Sequence, residues 1–420
     1  MIADLIIYNI KKIYTPYLNP PVRGKDMNKI KVIANPFIAV KDGKIIYIGT
    51  GSFENYINEK TILHDALNKV CLPGFIDSHS HLVHAGSRED EFALLRKNVS
   101  YLDILEAGGG ILGTVQKTRK ASFEELYMKA EKSLDIMMMH GVIALEAKSG
   151  YGLDLETEVK QLKVSNKLNG NHPIYVKSTY MGAHAIPKEF KNNRRKYIDQ
   201  ILSDMKYIKN LGLANSIDVF CENGVFSLNE TEEILMSAKE LGYTVKLHAD
   251  EIEPMGGTKL GIKLGATSVD HLMASSNEDI ILLGKSNTIA NLLPGTSFYL
   301  RKKYANARYM IDNNVAVSIS GDYNPGSCPT ENFQLIMHLA ANYLKMTSEE
   351  ILNAVTINPA YHMNIYKNKG SIEKSKDADI ILLDIDNLDY LFYHFGINHV
   401  SDVFIKGKLV VKDRKVLRSK

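Results

Sequence analysis

Short apolar runs alternate with longer amphipathic stretches through most of the chain, between residues 71 and 360. The amphipathic stretches carry apolar residues at helical spacing, as in FEELYMKAEKSLDIMMMHG and LNETEEILMSAKELG. The apolar runs of strand character are VCLPGFID, GVIALEAK, IYVKSTYM, SIDVFCE, TVKLHAD, ATSVDHL, NTIANLLP and VAVSISGD. Eight such strands alternating with helices predict a parallel α/β fold of the (β/α)8 TIM-barrel class.

The main alternative to a barrel is a doubly wound open sheet. Folds of that class commonly carry a glycine-rich phosphate loop between a strand and the next helix. Neither GxGxxG nor GxxxxGK[ST] follows any of the eight runs, and the glycines at 108–110 lack that spacing. The sequence therefore favours the barrel.

Both ends of the chain have a different pattern, with short strands separated by tight turns. DLIIYNI and FIAVKDGKIIYIGTG lie near the start, and ADIILLDID and VSDVFIKGKLVVKD near the end, with hairpin turns at Gly43 and Gly407. We therefore predict a small β-sandwich domain formed by residues 1–70 together with residues 361–420. The barrel domain is predicted over residues 71–360.

The composition of the chain indicates which class of partner and which cellular compartment to expect. The chain has 51 Lys and Arg against 48 Asp and Glu, so its net charge of +3 predicts a small-molecule partner and neither nucleic acid nor a membrane surface. Cys71, Cys221 and Cys328 contain no CxxC pair, which favours a reducing cytoplasm over a disulfide framework. No run approaches the roughly 18 apolar residues of a membrane span, and lysines interrupt the N-terminus too early for a signal peptide.

Candidate chemistry lies where the predicted strands end, because barrel enzymes build their active sites from these ends and the loops that follow. Strand one ends in His79-Ser80-His81. Residues two apart on a strand point to the same side, so both imidazoles are able to bind one cation. The pair alone is a weak indication, because ordinary core and surface histidines occur at the same spacing.

Three further strand ends carry metal-binding or acid–base side chains. His248 and Glu251 follow strand five, His271 ends strand six, and Asp322 follows strand eight. Imidazole nitrogen and carboxylate oxygen are ligands that Zn²⁺ and Fe²⁺ accept, and water on such an ion becomes nucleophilic near neutral pH. The strand ends therefore predict a mononuclear metal site with hydrolytic chemistry.

The order HxH, His, His, Asp on strands one, five, six and eight resembles that of the amidohydrolase superfamily. Within it, PGFIDSHSHLVHAGSREDEF, EAKSGYGLDLETE, MGAHAIP and SGDYNPGSCP resemble the imidazolonepropionase family, and the resemblance covers nearly the whole chain. It implies a barrel of the amidohydrolase type and a homodimer. The implied reaction is hydrolysis of 4-imidazolone-5-propanoate to N-formimidoyl-L-glutamate, in the degradation of histidine to glutamate.

The same resemblance implies which residues form the site. The family's metal ligands, for one divalent or trivalent ion per subunit, zinc or iron, fall on His79, His81, His248 and Asp322. Its substrate contacts fall on Arg88, Tyr151, His184, Glu251, Asn324, Gly326 and Ser327. Arg88 suits the carboxylate of the substrate because its planar guanidinium donates two parallel hydrogen bonds.

The expected mechanism is attack of metal-activated water on the ring carbonyl, then C–N cleavage with protonation of the leaving nitrogen. Glu251 is our choice of proton shuttle, because it lies just past a strand end and three residues beyond a ligand. His271 is the rival, either polarising the carbonyl or hydrogen-bonding the water. Asp322 is a third candidate, relaying the proton while it binds the metal.

Other polar residues near the strand ends have less direct interpretations. Strand four ends in Cys221-Glu222 and lacks the lysine that bridges two metals in dinuclear relatives, which favours a single ion. Glu222 itself is either an oriented site carboxylate or a solvated loop residue. Glu146 and Lys148 are expected to form an ion pair that holds the SGYG loop, and His84 is expected to be a wall residue.

Two other functions are alternatives to the hydrolysis of a cyclic amide. An aminohydrolase that deaminates a ring would share the metal site but need other loop contacts, and Arg88, Tyr151 and the NPGS motif favour the cyclic amide. A non-enzymatic binding protein on a decayed barrel predicts lost ligands, whereas the expected ligands are all present.

Overall fold

Eight parallel strands form the centre of the molecule, as the periodicity predicts. The computed structural model describes residues 1–97 and 109–417. Each barrel strand pairs with the next in chain order, strands one to eight being Phe75–Ser80, Val142–Lys148, Tyr175–Ala183, Ser216–Cys221, Thr244–Ala249, Ser268–His271, Ile289–Leu292 and Val317–Ile319. Strand one meets the end of strand eight through a bridge between Ser80 and Tyr323. The (β/α)8 barrel is confirmed and the open sheet is excluded.

Helices cover the outside of the barrel. Among the described helices, three begin with a capping box, in which Ser122, Ser227 or Thr347 exchanges hydrogen bonds with the glutamate three residues later. The helices of this region are Glu89–Arg96, Gly110–Lys120, Phe123–Met139, Leu155–Asn171, Arg194–Asn210, Leu228–Glu240, Gly257–Leu264, Asn277–Leu283, Pro294–Leu300, Ala307–Asp312, Phe333–Tyr343, Ser348–Ala354 and Ile357–His362. In the part of the chain that the structure describes, no helix is long and apolar enough to cross a membrane.

Both ends of the chain form one β-sandwich, also as predicted. One sheet contains, in spatial order, Lys44–Thr50, Pro36–Lys41, Leu5–Tyr8 and Ile62–Asp65. The other contains Lys415–Val416, Lys408–Lys412, Val400–Ile405, Ile380–Leu383, Val70–Pro73, Lys12–Thr15 and Lys31–Ala34, and helix Leu388–Tyr393 lies between two of its strands in sequence. Ile7 and Val40 of the first sheet pack with Ile13 and Ile380 of the second. The domain boundaries at residues 70 and 360 stay a prediction.

The first predicted barrel run, VCLPGFID, contains two strands instead of one. Val70–Pro73 pairs with Ile380–Leu383 in the sandwich, and after Gly74 the chain continues as barrel strand Phe75–Ser80. A Cβ atom on Gly74 would lie only 2.4 Å from Ile143 Cγ1, so a glycine is needed at the junction. Hydrophobic periodicity does not reveal the change of sheet, because both strands are buried along their whole length.

Gly74→Ala is expected to lower the free energy of unfolding by about 1–3 kcal/mol, because the added methyl group overlaps Ile143. Ile143→Ala alone is expected to cost about 2–5 kcal/mol through the cavity that it leaves. Since the second change removes the overlapped atoms, the double variant should lose less stability in urea denaturation than the two single losses added together. Fully additive losses would contradict the predicted overlap.

Candidate active site

Three buried histidines meet at the carboxyl end of the barrel strands. His79 and His81 come from strand one and His248 from strand five, and their ligand atoms all lie within 4.8 Å of one another. Asp322 adjoins them, with its Oδ1 atom 3.6 Å from His79 Nε2 and 3.8 Å from His81 Nε2. The structure thus brings together the four residues that the sequence predicts as metal ligands.

Two buried aspartates orient the histidine rings. Asp270 Oδ2 lies 2.5 Å from His79 Nδ1, and Asp218 Oδ1 lies 3.0 Å from His248 Nδ1. A carboxylate accepts the hydrogen of Nδ1 and so leaves Nε2 as the metal-binding atom. Burial lowers the pKa of His79, so the ring is neutral and able to bind a cation. For His248 burial also lowers the pKa, but the Asp218 carboxylate outweighs it and raises the pKa.

The arrangement fits a metal ion. His79 Nε2 is buried and, among the described residues, has no hydrogen-bond partner, whereas buried ring nitrogens normally have one. The atom beside it is a carboxylate oxygen of Asp322, whose pKa burial raises to about 6. A cation between the two atoms would satisfy the nitrogen and favour the ionised carboxylate. Three imidazoles and one carboxylate are a donor set that borderline divalent ions accept, so this is a divalent metal site.

The backbone is left-handed at the ends of strands five, six and eight. The residues concerned are Asp250, His271, Leu272 and Asp322, with φ angles of 49°, 79°, 61° and 53°. Such conformations cost non-glycine residues about 1–3 kcal/mol each and persist only where the surroundings hold them. The Asp250 carboxylate supplies part of that support, because it accepts hydrogen bonds from the amides that begin helix Gly257–Leu264. Some of the left-handed backbone of the protein thus lies at the strand ends that carry the candidate site residues.

Glu251 and His271, the first two candidates for proton transfer, lie close to each other. Glu251 Oε2 is 3.5 Å from His271 Nε2, and the His271 ring lies 5.0 Å from that of His248. Burial raises the pKa of Glu251 to about 8 and lowers that of His271. Glu222 is buried and accepts a hydrogen bond from the Ile252 amide at 2.9 Å, so it holds the loop that carries Glu251. Its alternative interpretation as a solvated loop residue is wrong.

Two predicted substrate residues pack against the metal ligands. The rings of His184 and His81 are nearly parallel, with centroids 4.7 Å apart. The Tyr151 ring lies 5.3 Å from His184 and 5.6 Å from His81. His84 is buried 6.0 Å from Tyr151, with Nδ1 2.8 Å from the carbonyl oxygen of His81. Together these rings form one side of the site, and His84 contributes to its wall as expected.

The loop that carries Tyr151 is held by Glu158, a residue that the sequence did not reveal. The Glu158 carboxylate accepts hydrogen bonds from the backbone amides of Gly150, Gly152 and Leu153. The predicted ion pair of Glu146 and Lys148 exists, at 3.3 Å, but Lys148 points into the barrel, where it lies 2.6 Å from Asp218 Oδ2. The prediction that this pair holds the SGYG loop is therefore wrong.

Arg88 and the loop after strand eight lie against each other. A Cβ atom on Gly326 would lie 2.1 Å from Arg88 Nη1, so the glycine leaves room for the guanidinium. Nε and Nη2 of Arg88 lie 2.8 and 2.7 Å from Glu91 Oε2. Asn324 Oδ1 accepts hydrogen bonds of 2.8 Å from the amides of Gly326 and Ser327, so the Asn324 side chain shapes its own loop.

Several residues that contact the candidate metal ligands are not predicted from the sequence. Thr296 donates a short hydrogen bond to Asp322 Oδ2, and the hydroxyl of Ser327 lies 3.4 Å from the same atom, so Oδ1 remains directed at the histidines. Asp218 and Asp270 could have been recognised, because each places a charged side chain inside an otherwise apolar strand run. Nothing in the sequence around Thr296 distinguishes it from other threonines.

Comparisons with known proteins identify the family. A model of the amidohydrolase family matches residues 70–410. The imidazolonepropionase of Thermoanaerobacter pseudethanolicus is 49% identical, over 97% of this chain and 98% of its own length. Those of Alkaliphilus oremlandii and Fusobacterium nucleatum are 48% and 47% identical, over 99% and 98% of this chain and the whole of their own. The chain belongs to the imidazolonepropionase family.

Solved structures place this imidazolonepropionase-family chain among proteins of the same fold. The E. coli guanine deaminase superposes with a TM-score of 0.75 at 12% identity, over 97% of this chain and 98% of that one. An adenosine deaminase from Xanthomonas campestris with bound zinc gives a TM-score of 0.71 at 15% identity, over 100% and 95% of the two chains. At such low identity the likeness concerns the fold alone, whereas the family model over residues 70–410 confirms the amidohydrolase type of barrel.

His79→Ala should abolish metal retention in this imidazolonepropionase-family chain, because it removes a ligand that Asp270 holds in place. We expect the metal content after dialysis, measured by mass spectrometry, to fall to background. Arg88→Ala is the matched control and should keep its metal. Equal metal loss in both variants would show that Arg88 is misassigned, and full retention in His79→Ala would exclude His79 as a ligand.

Proposed function

We propose that the chain hydrolyses the ring C–N bond of 4-imidazolone-5-propanoate, giving N-formimidoyl-L-glutamate in the degradation of histidine to glutamate. The observation that carries the proposal is the near full-length similarity to imidazolonepropionases at 47–49% identity. Family membership makes the chain a hydrolase of cyclic amides with a small-molecule substrate. The buried cluster of His79, His81 and His248 supplies the metal site that this chemistry uses.

His79, His81, His248 and Asp322 would hold one ion per subunit, and zinc and iron both suit these nitrogen and oxygen donors. When bound, the ion supplies Lewis acidity, which polarises a carbonyl and brings the pKa of water down to about 7. The chain's own contribution is to fix the donors. Carboxylates behind two of the imidazoles prevent ring rotation, and burial keeps competing water away.

Glu251 carries the proton in the proposed reaction. Its pKa of about 8, raised by burial, means that the carboxyl group exchanges a proton readily near neutral pH. Glu251 takes a proton from the attacking water and returns it to the leaving ring nitrogen. His271, neutral because burial lowers its pKa, lies 3.5 Å away and hydrogen-bonds the carboxyl group or the ring carbonyl. Asp322 is the alternative relay, since burial raises its pKa as well.

The propanoate end of the substrate is proposed to bind Arg88 and the loop after strand eight. Arg88 contacts Gly326 of this loop. The hydroxyl of Ser327, in the same loop, lies near the Asp322 carboxylate. The loop therefore connects the metal site to the cationic guanidinium of Arg88. Tyr151 and His184 would flank the planar ring, as their packing beside His81 permits. Asn324 acts by shaping the loop.

We further propose a homodimer in the cytoplasm, without nucleic acid or membrane partners. The net charge of +3 on 420 residues supports the absence of polyanionic partners. Cys71, Cys221 and Cys328 are all buried free thiols, which suits a reducing compartment. The dimer rests on the family resemblance.

Metal-replete protein supplied with freshly made 4-imidazolone-5-propanoate is expected to open the ring, with loss of the ring chromophore in ultraviolet absorption. Metal-stripped protein is the control and should be inactive until metal is restored. Absence of turnover, combined with efficient turnover of a dihydropyrimidine or an aminopurine, would overturn the proposed substrate and favour another amidohydrolase activity.

Arg88→Lys is expected to raise KM by about 10- to 100-fold, because a hydrogen-bonded charge contact of about 1.5–3 kcal/mol is weakened. Gly326→Ala should also raise KM, since its methyl group would displace the Arg88 guanidinium. Steady-state kinetics check both, with metal content measured in parallel and expected to be unchanged. If Gly326→Ala raises KM as strongly in an Arg88→Lys background as alone, the proposed contact between the two residues is wrong.

A further inference from the structure

A fully buried lysine lies beneath the candidate metal site, and it has no role in the proposed reaction. Lys148 ends barrel strand two, and its side chain is 0% exposed. Its Nζ atom is 2.6 Å from Asp218 Oδ2, 3.3 Å from Glu146 Oε1 and 3.9 Å from Asp270 Oδ2. Removing an ammonium group from water costs several kcal/mol, so a buried lysine persists only where carboxylates compensate the charge.

Two of these carboxylates are the groups that orient the metal-binding imidazoles. Asp218 uses Oδ1 for His248 and Oδ2 for Lys148. Asp270 uses Oδ2 for His79, at 2.5 Å, and the same oxygen faces Lys148. One ammonium group therefore lies behind two ligands that come from different barrel strands.

Asp270 also has neutral partners, and these show what the lysine adds. The Asn291 amide donates to Oδ2 at 3.1 Å and the Ser268 hydroxyl to Oδ1 at 2.6 Å, so Asp270 keeps part of its position without a cation. Asp218 depends more strongly on Lys148, because its Oδ2 atom makes a short contact with Nζ. The larger effect of losing the ammonium group should therefore fall on Asp218 and, through it, on His248.

We propose that Lys148 is a positioning residue for the metal centre: its ammonium group holds the carboxylates of Asp218 and Asp270 in place, so that His248 and His79 direct Nε2 at the metal ion. Without this cation the two carboxylates lie buried with less compensation. One of them then moves away from its imidazole, and that imidazole loses its fixed orientation. The inference rests on the proposed metal site and not on the identity of the substrate.

The test compares Lys148→Met with Lys177→Met in the full-length protein. Lys177 is the control, because it is a partly buried barrel-strand lysine whose Nζ donates to the Met363 carbonyl oxygen at 2.9 Å. The Kd for Zn²⁺ is measured by competition with a chromophoric chelator, and the visible spectrum of the Co²⁺-loaded protein reports ligand geometry. We expect Lys148→Met to raise the Kd by about 10- to 100-fold and to change the Co²⁺ spectrum. Lys177→Met should stay within about twofold of the wild type.

A merely structural role for Lys148 makes a different prediction. It would lower the Tm of the metal-free protein while leaving the Kd and the Co²⁺ spectrum of the folded protein unchanged, and that result overturns the proposal. If the wild type itself binds no metal, the proposed metal site fails. If the wild type and Lys148→Met bind Zn²⁺ equally well, the inference about Lys148 is wrong and the proposed metal site still stands.

A second variant covers the case in which Lys148→Met does not fold. Lys148→Met/Asp218→Asn removes the cation together with one anion, so it leaves less uncompensated charge in the barrel. Because the larger effect of Lys148 passes through Asp218 to the His248 ring, the double variant should bind Zn²⁺ about as weakly as Asp218→Asn alone. Wild-type affinity in the double variant, or a loss equal to the product of two independent effects, would contradict the proposal.

Discussion

Hydrogen bonds between buried carboxylates and histidines are the interaction on which the site depends. Asp270 and Asp218 accept from His79 and His248 in a barrel interior that excludes water. A carboxylate in such a place is costly unless every oxygen finds a donor, and satisfied networks of this kind are rigid. The requirement explains why amides, hydroxyls and lysines occupy barrel positions that would otherwise hold apolar side chains.

Buried side-chain oxygens also hold the loops of the site, by accepting hydrogen bonds from backbone amides. Glu158 binds the backbone amides of the loop that carries Tyr151, and Glu222 binds an amide beside Glu251. Asp250 binds the amides at the start of the next helix, and Asn324 those of its own turn. Irregular backbone near a buried site leaves amide groups unpaired, and these side chains satisfy them. The loops that carry the predicted substrate residues are therefore held by acceptors that need not touch a substrate.

The fold and the clustering of the candidate metal ligands were predictable because they follow from patterns local to each strand. Strand periodicity indicates eight parallel strands, and the end of a barrel strand is a known position for chemistry. The roles of Gly74, Glu158 and Thr296 were not predictable, because each depends on a contact that the sequence pattern does not indicate. Gly74 makes room for the Ile143 side chain, and Glu158 accepts from the amides of the preceding loop. Thr296 donates to one oxygen of Asp322. The pairing of Lys148 was predicted in part, with the right residue Glu146 and the wrong consequence.

The strand Val70–Pro73 joins the two domains in a way that bears on how the protein is made. Its neighbour Ile380–Leu383 is synthesised only after the whole barrel, yet Val70–Pro73 leads directly through Gly74 into the first barrel strand. On the ribosome, therefore, Val70–Pro73 can pair with the earlier strand Lys12–Thr15 on one edge, while its other edge stays unpaired until the last part of the chain emerges. Pairings over such sequence distances form slowly and leave apolar edges exposed meanwhile. The nascent chain thus has a period of vulnerability to aggregation that the finished enzyme does not share.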